Sequence, residues 1–342
     1  MSDNNQIGKK MKIGVIGAGS WGTSLANLLA KKGYSVVLWA YEEDLVEQMS
    51  QTHENECYLP GIQLSDNLTF SAKISDVSGL DLLLLVSPSQ VMRLVVKQAV
   101  AGIRSDAIIV SASKGIENET LLPMSDVLKE ILPVELHDRM AFISGPTFAR
   151  EVALEQPSAV VAAAENNEIC NQVQEIFNTE YFRVYTNNDV IGTELGGALK
   201  NVIALAAGVC DGLGYGCNTR AALITRGLAE MKKLGMAMGA KAETFSGLAG
   251  MGDLLLTCTG DLSRNRTVGI ALGKGRSLDD ILAEMSMVAE GVKTTLSTYQ
   301  LALKLNVEVP IISEMHAILY EDKDPRQVVV ELMQRELKSE YI

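Results

Sequence analysis

Lys12-Ile-Gly-Val-Ile16 is a short apolar run of strand type, and Gly17-Ala-Gly-Ser-Trp-Gly22 follows it without a gap. Behind that, Trp21 to Lys32 carries Leu25, Leu28 and Leu29 at helical spacing, and Gly33 stops the run. Strand, G-x-G-x-x-G and helix in direct succession is the context in which this motif binds a dinucleotide. Gly17 permits the tight turn, Gly19 leaves room for a pyrophosphate, and Gly22 lets helix and strand close on each other. The free N–H groups at the helix start then face the anion. No other stretch restricts the fold so strongly.

The pattern continues as a strand and helix alternation. Strands are expected at Ser35–Trp39, Leu68–Ser71, Asp81–Val86, Ala107–Ser111, Met140–Ser144, Ser158–Ala164 and Phe182–Thr186. Helices are expected at Gln90–Val100, Met124–Leu132 and Asn167–Phe177. This describes an α/β, Rossmann-type doubly wound sheet over residues 11–191. Ligands of such sheets bind beyond the carboxyl ends of the strands. Lys114 and Thr147 both lie there. An exposed loop lysine is the ordinary alternative for Lys114, but its place between Ser113 and Gly115 at a strand end favours a ligand role. An NAD site usually has an acid at the end of the second strand. Here Ala40 and Tyr41 come first, with Glu42 and Glu43 slightly late, and no arginine is present for a 2′-phosphate. NAD and NADP both remain open.

From residue 192 to 342 the pattern is all-helical. Thr193 to Gly208 is almost entirely apolar, as a buried helix is, yet it contains Lys200 and Asn201. Desolvation lowers the pKa of a buried lysine towards neutrality, which suits a general acid/base. The alternative is a lysine that snorkels to the surface from a helix end. Gly208–Gly216 reads as a break, with further helices at Asn218–Leu234, Thr267–Leu272, Leu278–Met285, Pro310–Tyr320 and Pro325–Leu337. Val288–Thr294 reads as a loop leading into a helix that ends at Leu305. Gly247, Gly250 and Gly252 precede Asp253, where another helix can begin. Ser263 reads as an N-cap followed by Arg264, Asn265 and Arg266. A helix start with two guanidinium groups is suited to a phosphate or carboxylate; a solvated polar helix end is the alternative. His53, His137 and His316 stand apart from these motifs, so no His–Asp hydride-transfer pair is apparent.

The balance of 30 basic against 42 acidic side chains gives a net charge of -12. That argues against nucleic acid and anionic membranes as partners, and any anionic substrate must be captured by local cations. The five cysteines are scattered without a CxxC pair, so neither a metal site nor a disulfide framework is indicated. A reducing, cytoplasmic setting follows. Met1–Lys10 reads as a flexible polar tail, and no apolar run is expected to cross a bilayer. The buried-looking helices suggest a homodimer.

Taken together the motifs resemble the bacterial NAD(P)-dependent glycerol-3-phosphate dehydrogenase family. The carrying residues are GAGSWGTSLA from Gly17, YLPG from Tyr58, SASKGIE from Ser111, SGPTFA from Ser144, GALKNV from Gly197, GLAGMGDLLLTC from Gly247, SRNR from Ser263 and VAEGVKT from Val288. The resemblance implies a Rossmann domain followed by an all-α domain with the site between them. It also implies reversible conversion of dihydroxyacetone phosphate to sn-glycerol 3-phosphate, feeding phospholipid synthesis. Lys200 then resembles the proton donor and acceptor. Lys114, Gly145, Thr147, Asp253, Ser263, Arg264 and Asn265 resemble the substrate-binding set. The cofactor contacts are Gly17, Gly19, Ser20, Trp21, Gly22, Tyr41, Tyr58, Ala149, Val288 and Glu290, with Lys114 and Arg264 shared. Tyr41 departs from the His or Arg often found near that position in the family. Two rivals are a ketopantoate-type reductase, which the SRNR anion site disfavours, and a non-enzymatic NADH sensor, which would not need Lys200.

Overall fold

The computed structural model describes residues 11–285, 289–337 and 339–340. The expected Met1–Lys10 tail and Val288 lie outside these. Eight strands form one sheet: β1 Lys12–Ile16, β2 Ser35–Trp39, β3 Leu68–Ser71, β4 Leu82–Leu85, β5 Ile108–Ser111, β6 Met140–Ser144, β7 Ser158–Ala163 and β8 Phe182–Asn187. Their order is β3-β2-β1-β4-β5-β6-β7-β8. The first six strands are parallel in the dinucleotide-binding order, with the switch point between β1 and β4. Strand β7 then runs antiparallel to β6, and β8 parallel to β7.

Fifteen helices accompany the sheet among the described residues. In the first half they are α1 Ser20–Lys31, α2 Glu43–Thr52, α3 Ser75–Ser78, α4 Met92–Ala99, α5 Met124–Ile131, α6 Ala149–Ala153 and α7 Asn167–Phe177. The central strands are apolar on both faces because helices cover both. Leu82 and Leu84 join Leu25, Leu28 and Leu29 of α1 in one cluster. Leu83 and Leu85 point the other way, into a cluster with Met92 and Val96 of α4 and Val127 and Leu128 of α5.

The second half is α8 Val190–Gly212, α9 Cys217–Ala237, α10 Asp253–Thr259, α11 Arg264–Gly273, α12 Leu278–Glu284, α13 Glu290–Lys304, α14 Pro310–Tyr320 and α15 Pro325–Met333. Helix α8 is its axis, packed by α9, α10, α11 and α13. Asp189 caps it by accepting from Gly192 N at 2.9 Å, and also ties down Lys241 N and Thr244 Oγ1.

Three expectations are corrected here. Helix α8 does not break at Gly208 but continues to Gly212. A side chain at Gly208 would collide with Arg266 O, and one at Gly269 with Leu205 O, so these glycines let α8 and α11 meet backbone to backbone. What reads locally as a helix breaker is a contact surface. The stretch expected to remain a loop to Thr294 is already helical from Glu290. Finally, α8 is by length and composition apolar enough to span a membrane, but 94% of its apolar window is buried inside the protein.

Candidate active site

The carboxyl ends of β1, β5 and β6 and the start of three helices supply the chemistry. Fingerprint residues come first. Gly17 adopts φ +115°, and a side chain on Gly22 would strike Gly17 O, so both positions are closed to larger residues. A Cβ on Gly19, by contrast, would point into open space. Trp21 Nε1 beside it is buried without a hydrogen-bond partner. Open space over Gly19 next to an orphaned donor fits a dinucleotide laid across the start of α1.

Ser20 Oγ donates to Tyr58 O at 2.6 Å. Ala149, the first residue of α6, accepts from Ser24 Oγ of α1 at 2.9 Å, so the loop after β6 is drawn onto the fingerprint helix. Tyr41 stands in solvent, 81% exposed. Burial raises the pKa of the Tyr58 phenol, and the neighbouring Glu42 carboxylate adds to it.

Two of the expected residues, Lys114 and Lys200, converge on a third, Asp253. This carboxylate is buried at the first turn of α10, after a widened turn in which Gly252 N reaches back five residues to Gly247 O at 3.1 Å. Its Oδ2 lies 2.6 Å from Lys114 Nζ, and its Oδ1 lies 3.1 Å from Lys200 Nζ. Lys114 also donates to Gly145 O at 3.3 Å, the same carbonyl that accepts from Thr147 Oγ1. The Lys114 loop is braced from behind: Arg93 of α4 grips Glu117 with both Nε and Nη2, and Gln90 Nε2 donates to Ile116 O at 2.8 Å.

Lys200 is buried in the middle of α8 and does not snorkel. Its Nζ donates to Thr257 Oγ1 at 2.8 Å and to Asn201 Oδ1 at 3.1 Å. Burial lowers its pKa most; Asp253 opposes that shift and Lys114 reinforces it. A Cβ on Gly197, one turn before Lys200, would come within 2.6 Å of Ser144 Oγ at the end of β6, so glycine lets α8 lie close against that strand end, with the Lys114 side chain in ordinary contact. Thr257 has no counterpart among the expected site residues. Its spacing of four from Asp253 on one helix face was the available signal.

The start of α11 forms the next wall. Ser263 is its N-cap, accepting from Arg266 N at 3.3 Å. Arg266 departs from its expected role. Its guanidinium is held by Asp211 Oδ2 at 2.8 Å and Asp261 Oδ1 at 3.0 Å, so it is a structural tie to α8 rather than a free anion hook. Arg264 is exposed and makes no hydrogen bond or ion pair to the described residues, which leaves its fork open. Asn265 Oδ1 accepts from Gly291 N of α13 at 2.9 Å, so only its amide N–H₂ is left for a ligand. Beside it, partial burial pushes the Glu290 carboxyl up, against the cations of Arg264, Lys200 and Lys114. The anion wall and the lysine pair therefore share one electrostatic neighbourhood.

Residues 12–170 match the family described as NAD-dependent glycerol-3-phosphate dehydrogenase N-terminus, and residues 189–330 match the C-terminus of the same family. This chain belongs to that family. A glycerol-3-phosphate dehydrogenase [NAD(P)+] of Syntrophotalea carbinolica is 63% identical over 331 residues, 96% of this chain and 99% of that protein. One from Citrifermentans bemidjiense is 60% identical, covering 97% of this chain and 99% of its own length. The crystal structure of glycerol-3-phosphate dehydrogenase from Coxiella burnetii superposes with a TM-score of 0.90 at 41% identity, over 95% of this chain and 99% of that one. The eight-stranded sheet and the helical second half are thus the family architecture.

Proposed function

We propose that this chain interconverts dihydroxyacetone phosphate and sn-glycerol 3-phosphate, with a nicotinamide dinucleotide as the second substrate. The observation that carries the reading is Lys200: an ammonium buried on α8, held by Thr257 and Asn201, and joined through one carboxylate to Lys114. When bound, the nicotinamide supplies or accepts the hydride. Gly17, Gly19, Ser20, Trp21, Gly22, Tyr41, Tyr58, Ala149, Val288 and Glu290 are assigned to holding the dinucleotide, with Lys114 and Arg264 shared.

In the reductive direction negative charge gathers on the oxygen at C2. Lys200 stabilises that charge and gives up a proton to it, helped by a pKa already lowered through burial. The Thr257 hydroxyl, bonded onward to Asp253 O at 2.6 Å, accepts from the Lys200 ammonium and fixes its direction. Asp253 keeps both lysines in register. Arg264 and the Asn265 amide receive the phosphate at the start of α11, where the helix N–H groups add to the attraction. Gly145, Thr147 and Ser263 complete the substrate-binding set. In the oxidative direction the neutral form of Lys200 takes the proton from the alcohol. The five cysteines are all free, which supports a cytoplasmic setting, and the product suits phospholipid synthesis.

The test is a spectrophotometric assay with dihydroxyacetone phosphate and each reduced dinucleotide. Oxidation that depends on the phosphorylated ketone is expected, with unphosphorylated dihydroxyacetone a poor substrate. Equal use of the two ketones would remove the anion wall from the mechanism.

A further inference from the structure

The end of β2 holds a feature that the reaction itself does not need. Gly17 N donates to Trp39 O at 3.1 Å, so this strand end lies directly beside the fingerprint. In dinucleotide folds the adenosine ribose lies here, where an acid about twenty residues beyond the glycines binds the 2′-hydroxyl and a cation binds a 2′-phosphate. Glu42 has that spacing from Gly22 but sits beyond the strand, at the N-cap of α2.

The fold ties it back. Asn55 is fully buried, and its Nδ2 donates to Ala18 O at 2.8 Å and Thr23 Oγ1 at 2.9 Å. Its Oδ1 accepts from Tyr58 N at 2.9 Å, while Tyr58 O accepts from Ser20 Oγ. The Tyr58 main chain is thereby fastened to the fingerprint turn and the first turn of α1. From that anchor the Tyr58 hydroxyl donates to Glu42 Oε1 at 3.4 Å. A carboxylate is held at the rim of the fingerprint, and Glu43 and Asp44 follow it in the first turn of α2. On the adjacent strand, Lys73 follows β3, is exposed, and makes no ion pair to the described residues.

We propose that Glu42, positioned by Tyr58, makes this chain select NAD(H) over NADP(H). Its carboxylate accepts from the adenosine 2′-hydroxyl and repels a 2′-phosphate, with Glu43 and Asp44 adding to the repulsion. The proposal rests on the dinucleotide-dependent reading given above.

Fluorescence titration of NADH and of NADPH, without the ketone substrate, tests it on the intact chain. The parent is expected to bind NADH at least about tenfold more tightly than NADPH. Glu42→Gln should close most of that gap, chiefly by tightening NADPH. Tyr58→Phe should close part of it with the melting temperature preserved, as expected of a positioning residue. Three results would overturn the proposal: a parent that binds the two equally, a ratio unmoved by Glu42→Gln, or a preference for NADPH that Lys73→Ala abolishes. A parent that binds neither dinucleotide would bring down the functional reading itself.

Discussion

The fingerprint and the Asp253 cluster of this chain are built by different means. The fingerprint is a main-chain cradle, compressed into six consecutive residues from Gly17 to Gly22. The Asp253 cluster is made of side chains: Lys114, Lys200, Asp253 and Thr257 arrive from the loop after β5, from α8 and from α10. A backbone cradle follows from local sequence. A buried charged cluster exists only once distant elements have packed, and each member depends on the others to offset its desolvation. The halves should therefore fail separately when mutated.

Lys200→Ala should produce the largest separation. We expect kcat to fall by about a hundredfold to ten-thousandfold while dinucleotide affinity stays near that of the parent. Lys200→Arg should not rescue, because a guanidinium keeps its proton and has another shape. Rate assays paired with fluorescence titration decide this. A folded Lys200→Ala variant with nearly normal kcat would remove the lysine from acid/base duty.

Arg264→Ala tests the outer wall of the same half. It should cost about 2–4 kcal/mol in kcat/KM for the phosphorylated ketone, since the phosphate loses its charged partner. Steady-state kinetics with phosphorylated and unphosphorylated ketone show whether the loss is confined to the former.

Gly19→Ala is the converse experiment in the first half. A methyl there meets no protein atom, so stability should stay within about 0.5 kcal/mol. Dinucleotide binding should nevertheless weaken by about tenfold or more, or ~1.4 kcal/mol, because the methyl occupies the cradle. Unchanged affinity would mean that the dinucleotide does not lie against Gly19.

The smallest expected effect concerns the seam between the halves. Glu194 of α8 accepts from Ser125 N of α5 at 2.9 Å, and burial pushes its carboxyl up to about 8. A carboxyl raised above its unfolded value of 4.5 binds its proton more tightly when folded. Its stabilising contribution is full below that unfolded value and is lost as pH rises through about 8. Glu230, pushed up to about 7 by burial where it accepts from Ile311 N and Ile312 N, acts in the same direction. The melting temperature should therefore fall between about pH 5 and pH 8, and Glu194→Gln should flatten the slope without removing it. Thermal melts across that range, with unchanged slopes in both proteins, would break the link.

The contrast also explains what could be read in advance. Met140–Ser144 and Pro310–Tyr320 match their expected bounds because an apolar run between turn residues, and a proline at a helix start, are local signals. The burial of Lys200 was legible because a lone cation in an apolar helix is conspicuous. Arg266 was not, because the residue that claims it, Asp211, lies on another helix. Gly208 misled for the same reason: its meaning depends on Gly269 lying across from it. Thr257 carried only its spacing of four from Asp253 as a signal, because a threonine in an apolar run otherwise looks the same whether or not it holds a lysine.

The backbone contact at Gly208 and Gly269 has a metrical consequence. Along α8, Lys200 stands eight residues from Gly208, about 12 Å of helix; along α11, Arg264 stands five residues from Gly269, about 7.5 Å. Both arms are rigid and are joined where no side chain cushions the crossing. With Lys200 as the proposed proton donor and Arg264 as the proposed phosphate anchor, the pair forms the two jaws of a caliper whose opening is set by main-chain geometry. Such a device gauges the span from carbonyl to phosphate, and a ketose phosphate one carbon longer would engage only one jaw at a time.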